Sequence, residues 1–258
     1  MAATLKVRLR FAKLGDLRLV SHHDLARCLE RMARRARLPL AESQGFNRRP
    51  KITFALSLAL GIEGRREVVE LELAEPMEPA EVLRKLADES PAGLEWLSAE
   101  PALGRKVAQV DAVSYAFALP SDRRQAASIA LLALLASSSH PYVRSRPDKD
   151  RDTQLDLRPF LLDAQVDLEG FLRFRLGVTN SGAAARPEDV LDVLELGDLT
   201  RNGTVLVRTD VELAPDPAPT PSPASPTGSD SASDSDDLLQ VQVHAQVQAP
   251  ISSSHPLA

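Results

Sequence analysis

Leu5-Lys6-Val7-Arg8-Leu9-Arg10-Phe11 alternates strictly between apolar and basic residues, and that pattern sets the reading of everything after it. A period of two puts Leu5, Val7, Leu9 and Phe11 on one face of a strand, with Lys6, Arg8 and Arg10 on the other. A strand with one apolar face needs a second layer to bury it. The next patterned stretch supplies one. From about Ser21 to Arg37, Leu25, Cys28, Leu29, Met32 and Ala36 gather on one side of a helix at about 100° per residue. Ser21 with Asp24 three residues on has the form of a capping box, the carboxylate returning to the cap's backbone N–H. Strand patterns follow at Lys51–Leu60 and Val68–Leu73, then a helix near Pro79–Glu89 and a strand around Leu94–Ala99. The order βαββαβ is that of a ferredoxin-like unit.

The second half parses the same way. Val113–Leu119 reads as a strand, Asp122–Ser137 as a helix and Tyr142–Arg146 as a short strand. Leu157–Leu168 and Phe171–Val178 form a hairpin turning at Glu169–Gly170. Pro187–Leu196 is a short helix with proline at its start, and Thr204–Leu213 a closing strand. The expected fold is α+β, two tandem ferredoxin-like units with antiparallel sheets. They are a basic unit over residues 1–105 and a second over 106–213, with the boundary near Gly104–Gln109. Residues 214–258 are expected to be a disordered tail. Ala214–Asp237 is Pro, Ser, Ala, Thr and Asp with a single glycine, and has too little apolar surface to offset the entropy of ordering. Beyond it Leu239, Val241, Val243, Ala245 and Val247 alternate with polar residues, either as a strand on a tether or by chance.

Composition removes several function classes. A single cysteine, Cys28, excludes an internal disulfide and any Cys-rich zinc or iron–sulfur site built from this chain alone. No run approaches the roughly 18 apolar residues a membrane span needs, and Met1–Phe11 has charges where a secretion signal would be apolar. No Walker loop or GxGxxG is present, so no nucleotide cofactor is expected. These features read as a soluble cytoplasmic protein.

Charge is distributed unevenly. The first sixty residues hold thirteen Lys/Arg against four Asp/Glu, and the remainder eighteen against thirty-two. A basic lobe in a chain of net charge −5 is the electrostatic footprint of a polyanion. Arg27, Arg31 and Arg34 fall opposite the apolar side of the first helix, with Arg35 and Arg37 on its flanks and only Glu30 as an internal acidic partner. Arg18 precedes them. Gly45-Phe46-Asn47-Arg48-Arg49-Pro50-Lys51 follows as a second basic cluster. Arginine suits bidentate phosphate contact, and an exposed Phe46 would stack on an unpaired base beside Asn47. RNA is the expected partner. The alternatives are an acidic protein surface, or a merely solvated face with no specific ligand, for the cations and a core-plugging role for Phe46.

His22 and His23 are the histidines near this lobe. One of them acting as general base on an RNA 2′-hydroxyl would make the protein a metal-independent ribonuclease. As neighbours at a helix start, His22, His23 and Asp24 diverge, so no metal site is expected. Asp156 and Arg158, two apart on a presumed strand, point to one side as an ion pair or as polar contacts for a ligand.

Several of these residues also carry a family likeness. Arg10-Phe11, Arg18-Leu19-Val20-Ser21-His22-His23-Asp24-Leu25, Ser43-Gln44-Gly45-Phe46-Asn47 and Pro50-Lys51-Ile52-Thr53-Phe54-Ala55 resemble the bacterial radical-SAM-linked domain, a family of unknown function. Leu60-Gly61-Ile62-Glu63 with Glu67, and Asp156-Leu157-Arg158-Pro159-Phe160-Leu161, continue the resemblance over roughly residues 4–212. Arg48 stands where the family usually has proline, His23 makes a pair where one histidine is usual, and Gly64 replaces a typical serine. The resemblance implies a standalone partner of a cobalamin-binding radical-SAM protein, presenting a substrate such as RNA. The radical enzyme's own Cys-x3-Cys-x2-Cys pattern is absent from the chain. The protein is accordingly expected to have no catalytic activity or cofactor of its own.

Overall fold

The computed structural model describes residues 4–44, 46, 48–102, 108–144, 152–179 and 185–215. The first half runs β1 (Thr4–Lys13), a 3-10 turn at Gly15–Leu19, α1 (His22–Arg35), β2 (Ile52–Phe54), β3 (Glu63–Met77), α2 (Pro79–Asp88) and β4 (Leu94–Pro101). The second runs β5 (Val110–Ala118), α3 (Ser121–Ala136), β6 (Pro141–Arg144), β7 (Thr153–Asp156), a 3-10 turn at Arg158–Phe160, β8 (Leu161–Val166), β9 (Phe171–Gly177), α4 (Pro187–Val193), α5 (Gly197–Arg201) and β10 (Leu206–Leu213). The described fold lies within the unit Met1–Thr220. The tail expected over 214–258 lies outside the described residues beyond Pro215, as does the middle of the expected boundary at 103–107.

One mostly antiparallel sheet runs through both halves in the order β4-β1-β3-β10-β5-β9-β8, with β2 also pairing to β3. Neighbours within each half correspond. β1 lies between β4 and β3 as β5 lies between β10 and β9. β2 flanks β3 as β8 flanks β9. The halves join through a short parallel step, Val207 opposite Glu63 and Arg208 opposite Gly64. β6 and β7 form a separate two-stranded sheet.

Two apolar clusters build the core. Val7, Leu9 and Phe11 of β1, Leu25, Leu29 and Met32 of α1, and Val69 and Leu71 of β3 make the first. Each such side chain contributes roughly 1.5–3 kcal/mol on burial. The second gathers Val113, Phe117, Leu131, Leu172, Val190 and Val211, and takes in Leu58, Ile62 and Val68 from the first half.

Where elements differ from expectation, local chemistry explains it. β3 begins at Glu63 rather than Val68 because its first residues are charged, and buried Glu67 hides the strand's apolar period. The stretch Lys51–Leu60 pairs only over Ile52–Phe54. Leu157–Leu168 is interrupted before Leu161. Pro159 lacks an N–H for a ladder, and Asp156 Oδ1 accepts the backbone N–H of Arg158 at 3.1 Å. α1 and α4 both stop earlier than expected, at left-handed Arg37 (φ 52°) and Glu195 (φ 56°). In each, the next residue's N–H returns five residues to a helix carbonyl: Leu38 to Ala33 at 2.9 Å and Leu196 to Leu191 at 2.7 Å.

Candidate nucleic-acid interface

α1 is pinned to the sheet by buried Leu25, Leu29, Met32 and Ala33, which turns its arginines outward. Ser21 caps it as expected, accepting the Asp24 N–H at 3.2 Å, but the carboxylate takes the Ser21 hydroxyl at 2.7 Å. Arg27, Arg31, Arg34 and Arg35 are all exposed. Two of them meet acids: Arg27 lies 3.5 Å from Asp24, and Arg35 donates to the Glu89 carboxylate at 2.7 Å and its carbonyl at 2.9 Å. Arg31 and Arg34 make no ion pair among the described residues.

The chain after α1 folds back as a hairpin on the end of β3. Ala41 N–H donates to the Glu72 carbonyl and Lys51 N–H to the Ala41 carbonyl, both at 2.8 Å, and Arg49 N–H reaches Ser43 Oγ at 3.0 Å. Phe46 near its tip is fully exposed, so it plugs no core. Arg49 reaches solvent without an acidic partner among the described residues. Arg48 sits 3.9 Å from Glu42 and Lys51 2.6 Å from Glu72. Gly45 and Asn47 lie outside the described residues. Arg18 is held apart from this face by its own turn, donating to the Gly15 carbonyl at 2.9 Å and lying 3.5 Å from Asp16. Of the eight expected cations, Arg31, Arg34 and Arg49 are thus without a carboxylate among the described residues, and the other five have one.

His22 faces inward. Its ring stands edge-on to Phe54 at 4.8 Å, and its buried Nδ1 has no hydrogen-bond partner among the described residues. Burial lowers its pKa, and neighbouring His23, Lys13 and Arg208 lower it further. His23 is exposed, with its ring 6.0 Å from that of His22. Among the described residues, no three His, Cys, Asp or Glu gather to hold a metal, and no helix is long and apolar enough to cross a membrane. Asp156 accepts backbone N–H groups of His140 (2.7 Å) and Arg158, which lowers its pKa. The Arg158 guanidinium reaches the Leu161 and Leu135 carbonyls at 2.8 and 3.4 Å. The two residues shape a turn, and no Asp156–Arg158 ion pair forms.

Sequence reasoning passed over a set of buried ions beside the join between the halves. Arg208 and Glu67 form a two-point ion pair, each 3% exposed by side chain, with Arg208 Nε to Glu67 Oε1 at 2.8 Å. Arg208 also donates to the Ser57 carbonyl at 3.0 Å. Lys13, wholly buried, sends its ammonium to the Val20 carbonyl at 2.7 Å and the Arg18 carbonyl at 3.4 Å. Its pKa is lowered by burial, against the attraction of Glu67. On the opposite face of the sheet Glu70 is buried between Arg8 (3.0 Å) and Lys6 (2.8 Å), so these two strand cations are paired. Arg10 likewise meets Asp210 at 3.1 Å. The advance signal was one of register: Lys13 follows Leu9 and Phe11, Glu67 precedes Val69 and Leu71, and Arg208 follows Leu206 at the two-residue spacing of each strand's apolar face.

No curated protein matches the chain. A family model described as "Uncharacterized protein conserved in bacteria (DUF2344)" matches residues 6–187, from β1 to the first residue of α4. That span takes in α1, the hairpin and Glu67 but stops short of Arg208, and the chain belongs to this family of uncharacterized bacterial proteins.

Proposed function

We propose that this protein binds RNA through the outer face of α1 and the following hairpin, presenting it to a radical-SAM enzyme without a catalytic centre of its own. The carrying observation is the exposure of Arg31, Arg34 and Arg49 without an acidic partner among the described residues, alongside the fully exposed Phe46 ring. Such cations release counterions on meeting phosphate, and a free ring stacks on an unpaired base. The radical-SAM link rests on the motif likeness at Ser21–Leu25 and Ser43–Ala55. We also read each half as a ferredoxin-like unit, supported by the matching neighbour orders β4-β1-β3-β2 and β10-β5-β9-β8.

Binding of single-stranded RNA across a salt series tests the reading. Replacing Arg31, Arg34 and Arg49 by alanine should reduce the salt slope by about 2, since single strands contribute roughly 0.7 per phosphate contact. An unchanged slope would remove the interface. A protein-only scaffold is the second reading, favoured by the carboxylates that already answer Arg35, Arg48 and Lys51. Co-purification of a radical-SAM protein with no nucleic acid, undisturbed by nuclease, would select it.

A further inference from the structure

A cavity of about 710 Å³ opens beside the buried ion pair, on ground the basic face does not touch. Its volume falls within the roughly 300–1,000 Å³ of small-molecule sites. The loop after β2 supplies Leu56, Ala59 and Ile62, β5 supplies Val113 and Tyr115, and β9 supplies Leu176. The walls are mostly apolar. Tyr115 is buried and stacks on Phe174 with centroids 5.2 Å apart, which stiffens one wall.

The charged groups at this cavity are unequally satisfied. Arg208 is taken by Glu67 and the Ser57 carbonyl, and Arg144 is clamped by buried Asp189, with Nε to Oδ1 at 2.8 Å. An anion entering would find both guanidiniums already neutralised. At the mouth, Glu188 and Asp192 stand one turn apart on α4, exposed and without an ion pair among the described residues. Asp192 accepts the Tyr142 hydroxyl at 3.0 Å. That phenol is pushed up to about 12, by burial first and then by Asp192, so its ring stays neutral beside the opening. Exposed Arg186 is the one mouth cation without a described acidic partner for its side chain.

We propose that this cavity binds a small aromatic amine, its ring against the apolar walls and Tyr115 and its cationic nitrogen at Glu188 and Asp192. The inference is independent of the RNA reading, since no residue of the basic face lines the cavity.

Three probes sharing one ring test it by calorimetric titration of the full chain: tryptamine (cationic), indole (neutral) and indole-3-acetate (anionic). Tryptamine should bind best and indole-3-acetate worst. The double variant Glu188→Gln/Asp192→Asn should weaken tryptamine about two- to thirtyfold, to the level of indole, as expected for two exposed ion pairs. Ala59→Trp, at an exposed lining position, should block all three probes while the thermal unfolding midpoint holds. Equal affinity for cation and anion, tryptamine binding that survives Ala59→Trp, or no tryptamine binding at millimolar concentration would each overturn the proposal. Loss of RNA binding in the Arg31, Arg34 and Arg49 variant leaves these outcomes unaffected, so the two readings fail separately.

Discussion

Arginines on α1 and the arginine on β10 are chemically identical, yet they do opposite work. Arg31 and Arg34 stand in water, where their charge costs little and is available to a ligand. Arg208 is 3% exposed by side chain and locked to a Glu67 equally buried, so its charge is answered within the fold. On α1 a local excess of one sign marks an outward surface, whereas on β1 the cations of Lys6, Arg8 and Arg10 are paired. Charge in register with a strand's apolar face, as at Glu67 and Arg208, marks a buried pair whose partner lies elsewhere in sequence. Solvent screens the first set and leaves the second almost unscreened, so the two should answer mutation and pH on different scales.

The sharpest way to break this contrast is to remove one member of the buried pair. Glu67→Leu should cost roughly 3–5 kcal/mol in urea unfolding, because Arg208 is left charged and unpaired, while Glu67→Leu with Arg208→Met should recover most of it. A single-variant loss below about 1 kcal/mol would put Arg208 in the same class as α1's arginines. Next in size is the cap that sets the basic helix. Ser21→Ala should cost about 1 kcal/mol by the same measurement.

His22 lies between the two regions, and pH reads its position. Its folded pKa is below the ordinary 6.5, so below that value the unfolded chain binds the proton more readily. Its neutral state is therefore fully favourable above 6.5, and stability should fall as pH drops through and below that value. His22→Phe should flatten this part of the profile and, by removing an unpartnered Nδ1, leave stability at pH 8 unchanged or raised. A slope that persists in the variant would place the titrating group elsewhere. The smallest effect belongs to the outer face. Replacing Arg31, Arg34 and Arg49 by alanine should change unfolding free energy by only about 0.5 kcal/mol per site or less, whatever it does to RNA.

Most elements were legible because their apolar periods are local. Leu25, Leu29 and Met32 repeat at helical spacing, and β1 alternates without a break. The short β2 and early-starting β3 were not, because loop Leu56–Ile62 is apolar for the sake of the second core and Glu67 is polar for the sake of Arg208. On the basic face, sequence identified which residues are basic but not which are already answered. Arg35 meets Glu89 and Lys51 meets Glu72, acids 54 and 21 residues away. The cavity left no trace in sequence, since its walls come from the loop after β2, from β5, β6, β9 and β10, and from α4, which only the fold brings together.

The pairing of Glu67 with a residue 141 positions later bears on synthesis. While the ribosome is still making the second half, β1, α1 and α2 have the apolar partners of the first core, but Val68 of β3 lacks the second core and Glu67 has no guanidinium to receive it. The nascent first half must keep that edge of β3 hydrated until β10 emerges. Arrest before Arg208 should therefore yield a collapsed but protease-sensitive chain, and release past Leu213 should close it in one late step.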